Sequence, residues 1–363
     1  MKCIRCGTDN NLRERTDNRG LCKNCQHPFA FEPAMMTGVK LTDPFFAKAI
    51  ADISDNNTLY FTPRQLFYLL CKRLKNKDNK GAVNNFFFYG FILLFIGIVN
   101  YKEPSIFLGS LIFGLLLIFW SVLYVNQRRS VSLEISQDQF QSWVNSWLRV
   151  NEISTMLSSV RNEITSSPVN PEISTYSFDR AVICDRAEIA QLLIANNFHF
   201  ENNCAVLSIT GYPQNIFSTV MQMLRRNPEL KVYAIHDATP NGVSLVYNLR
   251  NSSDWFENSN VTIYEVGLLP RQFFKNSKLF TQVSEESALQ AQQLPAEVRQ
   301  GLSIDELKWL DAGKFAELES FSTRKLIRIL NQAISQSQNL TVDDGLVVID
   351  EGYDYVYATE SFG

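Results

Sequence analysis

Charge is missing from two long stretches of this chain. No Asp, Glu, Lys or Arg interrupts Phe86–Val99 (FFFYGFILLFIGIV) or Ile106–Val125 (IFLGSLIFGLLLIFWSVLYV). Two neighbouring runs without a polar stripe exclude an ordinary amphipathic hairpin, which needs one wet face. The chain also lacks a Gly-rich phosphate loop of its own, so nothing in it points to nucleotide hydrolysis. Met1–Asn10 is polar and carries two cysteines, so a cleavable signal peptide is not expected.

A spanning helix needs about 17–25 mostly apolar residues. Ile106–Val125 supplies them. The first run does so from Asn84 to Tyr101, with the asparagines and Tyr101 at headgroup depth, where aromatic rings are favoured. Lys102, Glu103 and Pro104 form the break between them. Residues 84–126 therefore read as a two-helix transmembrane hairpin. Lys72, Arg73, Lys75, Lys77 and Lys80 precede it and Arg128 and Arg129 follow it. Under the positive-inside rule both flanks, and so both termini, are expected in the cytoplasm.

The 363 residues leave room beside the hairpin for one sizeable soluble domain and one small one. The net charge of −3 hides an asymmetry: residues 1–129 carry 17 Lys+Arg against 9 Asp+Glu, and the remainder 17 against 28. The basic half suits anionic lipid or phosphate. The acidic half is a poor nucleic-acid surface unless it holds a local basic groove or metal ions.

Cys3, Cys6, Cys22 and Cys25 stand as two CxxC pairs, CIRCG and CKNCQ. Paired knuckles bring four thiolates into a tetrahedron, the geometry Zn(II) prefers, and four thiolates leave no open position for catalysis. Residues 1–30 are thus expected to be a zinc ribbon folded around a structural Zn(II), since so short a segment has little apolar core. His27 lies outside the second knuckle and reads as a surface residue. Cys71, Cys184 and Cys204 sit in apolar runs and read as buried structural thiols.

Residues 40–80 form a helical segment, FFAKAIADI and then TPRQLFYLLCKRLKNK, broken at Asp55–Thr58. Thr62 before Pro63 suits an N-cap. Arg64 and Tyr68 are four apart and share a helix side. The run Arg64-Gln65-Leu66-Phe67-Tyr68 resembles the Arg-x-x-Tyr-Tyr motif of the topoisomerase VI A subunit and the related meiotic double-strand-break transesterase, with Phe67 in place of the first tyrosine. The resemblance implies a partial winged-helix-like segment in which Tyr68 attacks a DNA phosphate and Arg64 lowers its pKa.

After a helical linker, 130–177, strands and helices alternate: AVICD, AVLSITG, KVYAIHD and VTIYEVGL with helices between. That alternation predicts an α/β domain with a parallel sheet over 178–335. Asp185 and Asp237 each end a strand, where ligands of such sheets bind. The order of Asp185, Gly211-Tyr212-Pro213 and Asp237-Ala238-Thr239-Pro240-Asn241-Gly242, with a helical tail bearing Glu317 and Glu319, resembles the Toprim domain of the same family. This resemblance implies Mg(II) held by Asp185 and Asp237, a homodimer that brings Tyr68 of one protomer to the acids of the other, and an ATPase partner. Asp185 replaces the family's glutamate and Thr239 its second aspartate, which lowers the charge available to Mg(II). His236 reads as a hydrogen-bonded strand residue. Residues 336–363 form an acidic, aromatic tail without a motif.

The fold expected is thus multidomain: zinc ribbon, helical segment, two transmembrane helices and a Toprim-like α/β domain. The function expected is that of a membrane-anchored, topoisomerase VI A-like protein with a degraded catalytic site, binding or sensing nucleic acid or a protein partner. The alternatives are an active Mg-dependent DNA-cleaving transesterase using Tyr68, and a purely structural membrane scaffold.

Overall fold

In the computed structural model of the protein, residues 1–99, 108, 112–116, 135–158, 160, 178–227, 229–257, 259–274 and 280–336 are described. They divide into two compact units, Met1–Ser158 with Ser277–Gln282, and Ser159–Asn276 with Val283–Gly363.

The first unit begins with the cysteine ribbon, whose short helix α1, Leu12–Asp17, opens with an Asn11–Glu14 capping box. Helix α2, Asp43–Ile53, follows a Thr42 cap with Pro in its first turn. It ends where Asp55, Asn56 and Asn57 all adopt positive φ, the break expected from the sequence. Thr62 caps the next helix: its Oγ1 accepts from the Gln65 N–H at 3.2 Å, and Gln65 Oε1 accepts from the Thr62 N–H at 3.0 Å. Helix α3 then runs without interruption from Pro63 to Val99. The helical segment and the first apolar arm are therefore one rod, because no Pro or paired helix breaker interrupts Arg64–Val99.

Helix α4, Gln137–Leu148, joins the same core. Phe31, Phe46 and Trp147 pack ring on ring, Phe46 and Trp147 at 5.0 Å, while Phe67 meets Phe140 edge-on at 5.3 Å. Leu66, Leu70 and Leu74 of α3 and Trp143, Val144 and Trp147 of α4 belong to one cluster. Phe61 extends it by a parallel bridge to Met156. The stretch 130–177, expected to be a linker, thus contributes four large side chains from α4 to the core, Phe140 among them. Amphipathicity hides this in the sequence, because α4 sets its apolar residues in ones and twos among Gln, Asn and Ser.

The predicted hairpin 84–126 lies only partly within the described residues, and the tail beyond 336 lies outside them. Among the described residues no helix is long and apolar enough to cross a membrane. The apolar residues described near the end of α3 and beyond are exposed, Phe95, Ile98, Val99, Phe113 and Leu115 among them.

The second unit is the expected α/β sheet. Strands β1 (Arg180–Cys184), β2 (Cys204–Ser208), β3 (Lys231–Ile235) and β4 (Thr262–Glu265) are all parallel, in the order β2-β1-β3-β4. Helices α5 (Ala187–Ala195), α6 (Phe198–Glu201), α7 (Phe217–Arg225), α8 (Pro240–Val243) and α9 (Leu245–Asn251) fill the crossovers. Ala181, Ile183, Val232 and Ala234 meet Val220, Leu224 and Leu249 on one face. Nearly every position of β1, β2 and β3 is buried, as a parallel sheet covered on both faces requires, while the edge strand β4 is more open. The chain continues through α10 (Glu285–Gln292), α11 (Ala296–Gly301), α12 (Ile304–Asp311) and α13 (Thr323–Gln336). The strand order reverses between β1 and β3, the switch point at which open parallel sheets place their ligands.

Candidate functional site

Two constellations carry chemistry. In the ribbon, the Sγ atoms of Cys3, Cys6, Cys22 and Cys25 all lie within 4.8 Å of one another. Cys3–Cys25 and Cys6–Cys22 stand at 3.6 Å, close to the edge of about 3.8 Å that four Zn–S bonds of about 2.3 Å would give a tetrahedron. Both knuckles use the same turn. The Gly7 N–H reaches the Cys3 carbonyl and the Cys3 N–H reaches Thr8, as Gln26 and Cys22 do with Cys22 and His27. Each turn needs a left-handed residue, Gly7 at φ +73° and Gln26 at φ +58°.

Asn10, which sequence reasoning passed over, joins the two knuckles. Fully buried, it donates to Thr8 O at 2.8 Å and to Cys22 Sγ at 3.5 Å, and its Oδ1 accepts from the Lys23 N–H at 2.9 Å. Hydrogen bonding to Thr8 pulls the exposed Cys6 thiol down to about 5, toward the thiolate a metal needs. His27 is not part of the cluster. Cys71, Cys184 and Cys204 are all buried, and burial pushes the Cys71 and Cys204 thiols up to about 12.

Tyr68 sits in the core of the first unit, 2% exposed. Its ring lies edge-on to Phe280 at 5.4 Å and to Phe67 at 5.8 Å, and Gln282 Nε2 donates to its hydroxyl. This environment anchors the side chain and leaves little room for a phosphate at the hydroxyl. Tyr68→Phe is expected to cost about 1 kcal/mol through the lost hydrogen bond, read by denaturant unfolding.

In the second unit the two aspartates meet. Asp185 and Asp237 follow the neighbouring strands β1 and β3, and the Asp237 N–H donates to Asp185 Oδ2 at 2.9 Å. Glu317 and Glu319 join them. Glu317 caps and Glu319 lies within the 3-10 turn Leu318–Ser320, where a longer helix was expected, and an antiparallel bridge between Ala238 and Ala316 holds that turn against the strand end. The Leu318 N–H donates to Asp237 Oδ1 at 2.7 Å.

Within this group stands Arg186, unnoticed in the sequence although it directly follows Asp185. Its Nε is 2.8 Å from Asp237 Oδ2, its Nη2 2.7 Å from Glu319 Oε2 and its Nη1 3.9 Å from Glu317 Oε1. Thr239 caps α8, accepting from the Gly242 N–H at 3.0 Å.

The residues present do not fit Mg(II), which needs oxygens in a near-octahedral shell at about 2.1 Å. Asp237 Oδ1 and Asp185 Oδ2 each accept a backbone N–H, and the Arg186 guanidinium stands 2.8 Å from Asp237 Oδ2 as an ion pair among the acids. Asp185 Oδ1 is buried without a hydrogen-bond partner.

Burial pushes both Asp185 and Asp237 upward, against the pull of Arg186. Burial also opposes the charge on Arg186, which the four acids more than offset. His236, wholly buried, hydrogen-bonds the Asp237 carbonyl at 2.9 Å and Glu265 Oε1 at 3.2 Å. Burial lowers its pKa, but Glu265 raises it further, so the net direction is upward. Despite its own burial, Glu265 is held low by the same pairing.

A raised pKa means that the folded state holds the proton more tightly than the unfolded chain. The His236 contribution is therefore complete below about pH 6.5 and fades as pH rises through the folded value. Asp185 and Asp237 slope the same way, and Glu265 matters only in acid. The melting temperature should fall between pH 6 and pH 8, and His236→Gln should flatten that fall.

No protein-family model matches this chain, and no curated protein matches it.

Proposed function

We propose that the chain is a membrane-anchored protein whose cytoplasmic α/β unit is a topoisomerase VI A-like Toprim fold turned to binding, of a protein partner or nucleic acid, without DNA cleavage. The observation that carries this reading is the meeting of Asp185 and Asp237 at the β1/β3 switch point while Thr239 caps a helix. The acids thus occupy the expected place in the sheet, and the chemistry that would use them is incomplete.

The membrane half of the proposal is supported by the apolar side chains exposed at the end of α3. Ile92, Phe95, Ile96, Ile98 and Val99 all face outward. In water such exposure costs about 25 cal/mol per Å², whereas lipid removes the cost. It is supported again by the core of the first unit, which takes side chains from α3 before the second apolar run and from α4 after it, as flanks on one side of a membrane would. In the ribbon, four thiolates select Zn(II) in a closed, structural site. The homodimer and the ATPase partner belong to the cleaving alternative, which the burial of Tyr68 disfavours.

The full chain, expressed in bacteria, should stay with membranes through alkaline carbonate washing. Incubated with duplex DNA and Mg(II), it should form no covalent protein–DNA adduct. Release by carbonate would end the membrane reading, and an adduct that disappears in Tyr68→Phe would replace the binding reading with the transesterase.

A further inference from the structure

We propose that Arg186 is the resident cation of the strand-end acid cluster, standing where a divalent metal would otherwise be needed, so that the resting protein holds no Mg(II) there. The inference goes beyond any kinship with topoisomerase VI and needs only the geometry of the four acids.

Asp185, Asp237, Glu317 and Glu319 come from three separate segments of the chain, and such a gathering of like charge away from water requires a positive partner. The backbone fixes the gathering. The Ala238 N–H donates to the Ala316 carbonyl at 2.9 Å, and the Ala316 N–H returns the bond at 3.1 Å. Asp237 takes one bond from the Leu318 N–H, and Asp185 takes one from the Asp237 N–H.

Arg186 faces the acids with a planar fork that spreads one charge over Asp237, Glu319 and Glu317, a task a lysine point charge performs poorly. It is rooted at the N-cap of α5, two residues after the end of β1, so the strand itself delivers the guanidinium. A metal on Asp237 would have to displace it.

The test uses the purified, zinc-loaded full chain and its variants, with Mn(II) followed by electron paramagnetic resonance and Mg(II) followed by thermal unfolding. The wild-type protein should show no tight Mn(II) site, and its melting temperature should not respond to millimolar Mg(II). Arg186→Ala should melt about 10 °C lower, gain one Mn(II) per chain, and recover much of its stability with Mg(II). Adding Asp237→Asn should abolish that gain. Arg186→Lys should fall between.

A Mn(II) site in the wild-type protein that Asp185→Asn removes would overturn the proposal. So would an Arg186→Ala protein that melts like the wild type, or one that is destabilised without response to Mg(II) or Mn(II). Should Arg186→Ala not fold at all, the wild-type titration and Arg186→Lys decide alone.

Discussion

Cys22→Ser should strip the ribbon of its metal and unfold it. Cys22 is wholly buried, its Sγ lies 3.6 Å from that of Cys6, and Asn10 Nδ2 donates to it. Replacing the thiolate with a hydroxyl leaves three soft ligands, and the apparent binding energy of a four-ligand structural zinc in such peptides is about 10–16 kcal/mol. A segment this small has no core able to replace that contribution. Metal analysis should fall from one zinc per chain toward none, and limited proteolysis should open residues 1–30. The damage should reach further, because Arg15 of the ribbon pairs with Glu32 through two hydrogen bonds of 2.8 and 3.0 Å, and Phe31 beside it stacks in the aromatic core. A variant that keeps its zinc and resists protease would show that these sulfurs do not fold the ribbon.

Gly242→Ala should destabilise the second unit by about 3 kcal/mol, the upper end of ordinary overpacking. A methyl group there would stand 2.1 Å from the Asp237 carbonyl oxygen and 3.0 Å from Thr239 Oγ1. Neither can yield cheaply. The carbonyl belongs to the residue whose carboxylate meets Arg186, and the hydroxyl caps α8. Gly301, in contrast, has nothing within 4 Å of its would-be methyl. Gly301→Ala should therefore be neutral or stabilising by about 0.5 kcal/mol, and thermal unfolding of the two variants side by side gives the comparison. Equal melting would mean that the strand end is looser than its geometry indicates.

The parallel sheet was legible because each strand is a short apolar run followed by a helix-length amphipathic one, and such runs have few other solutions. The cysteine pairs were legible because CxxC spacing is itself a geometry. The placement of Asp185 beside Asp237 followed from strand ends alone. Arg186 did not, since a cation next to an acid in sequence ordinarily points to solvent. Only the return of Glu317 and Glu319, some 130 residues later, makes it central. That return depends on the Ala238–Ala316 bridge, a long-range pairing with no local signature. The burial of Tyr68 was equally hidden, because Phe280 and Gln282, which enclose it, lie more than 200 residues away. The continuity of α3 was missed for a different reason: the change from basic to apolar composition near Gly81 reads as a boundary, and the helix passes through it unbroken.

That unbroken helix governs how its two ends can move. Leu74, the last core residue of α3 among those whose side chains are described, precedes Asn84 by ten positions, about 15 Å of helix. Without a break along this stretch, the apolar end of α3 cannot swivel independently of the core that holds its other end. Any tilt or rotation of that apolar end would reach the aromatic core as a lever's motion.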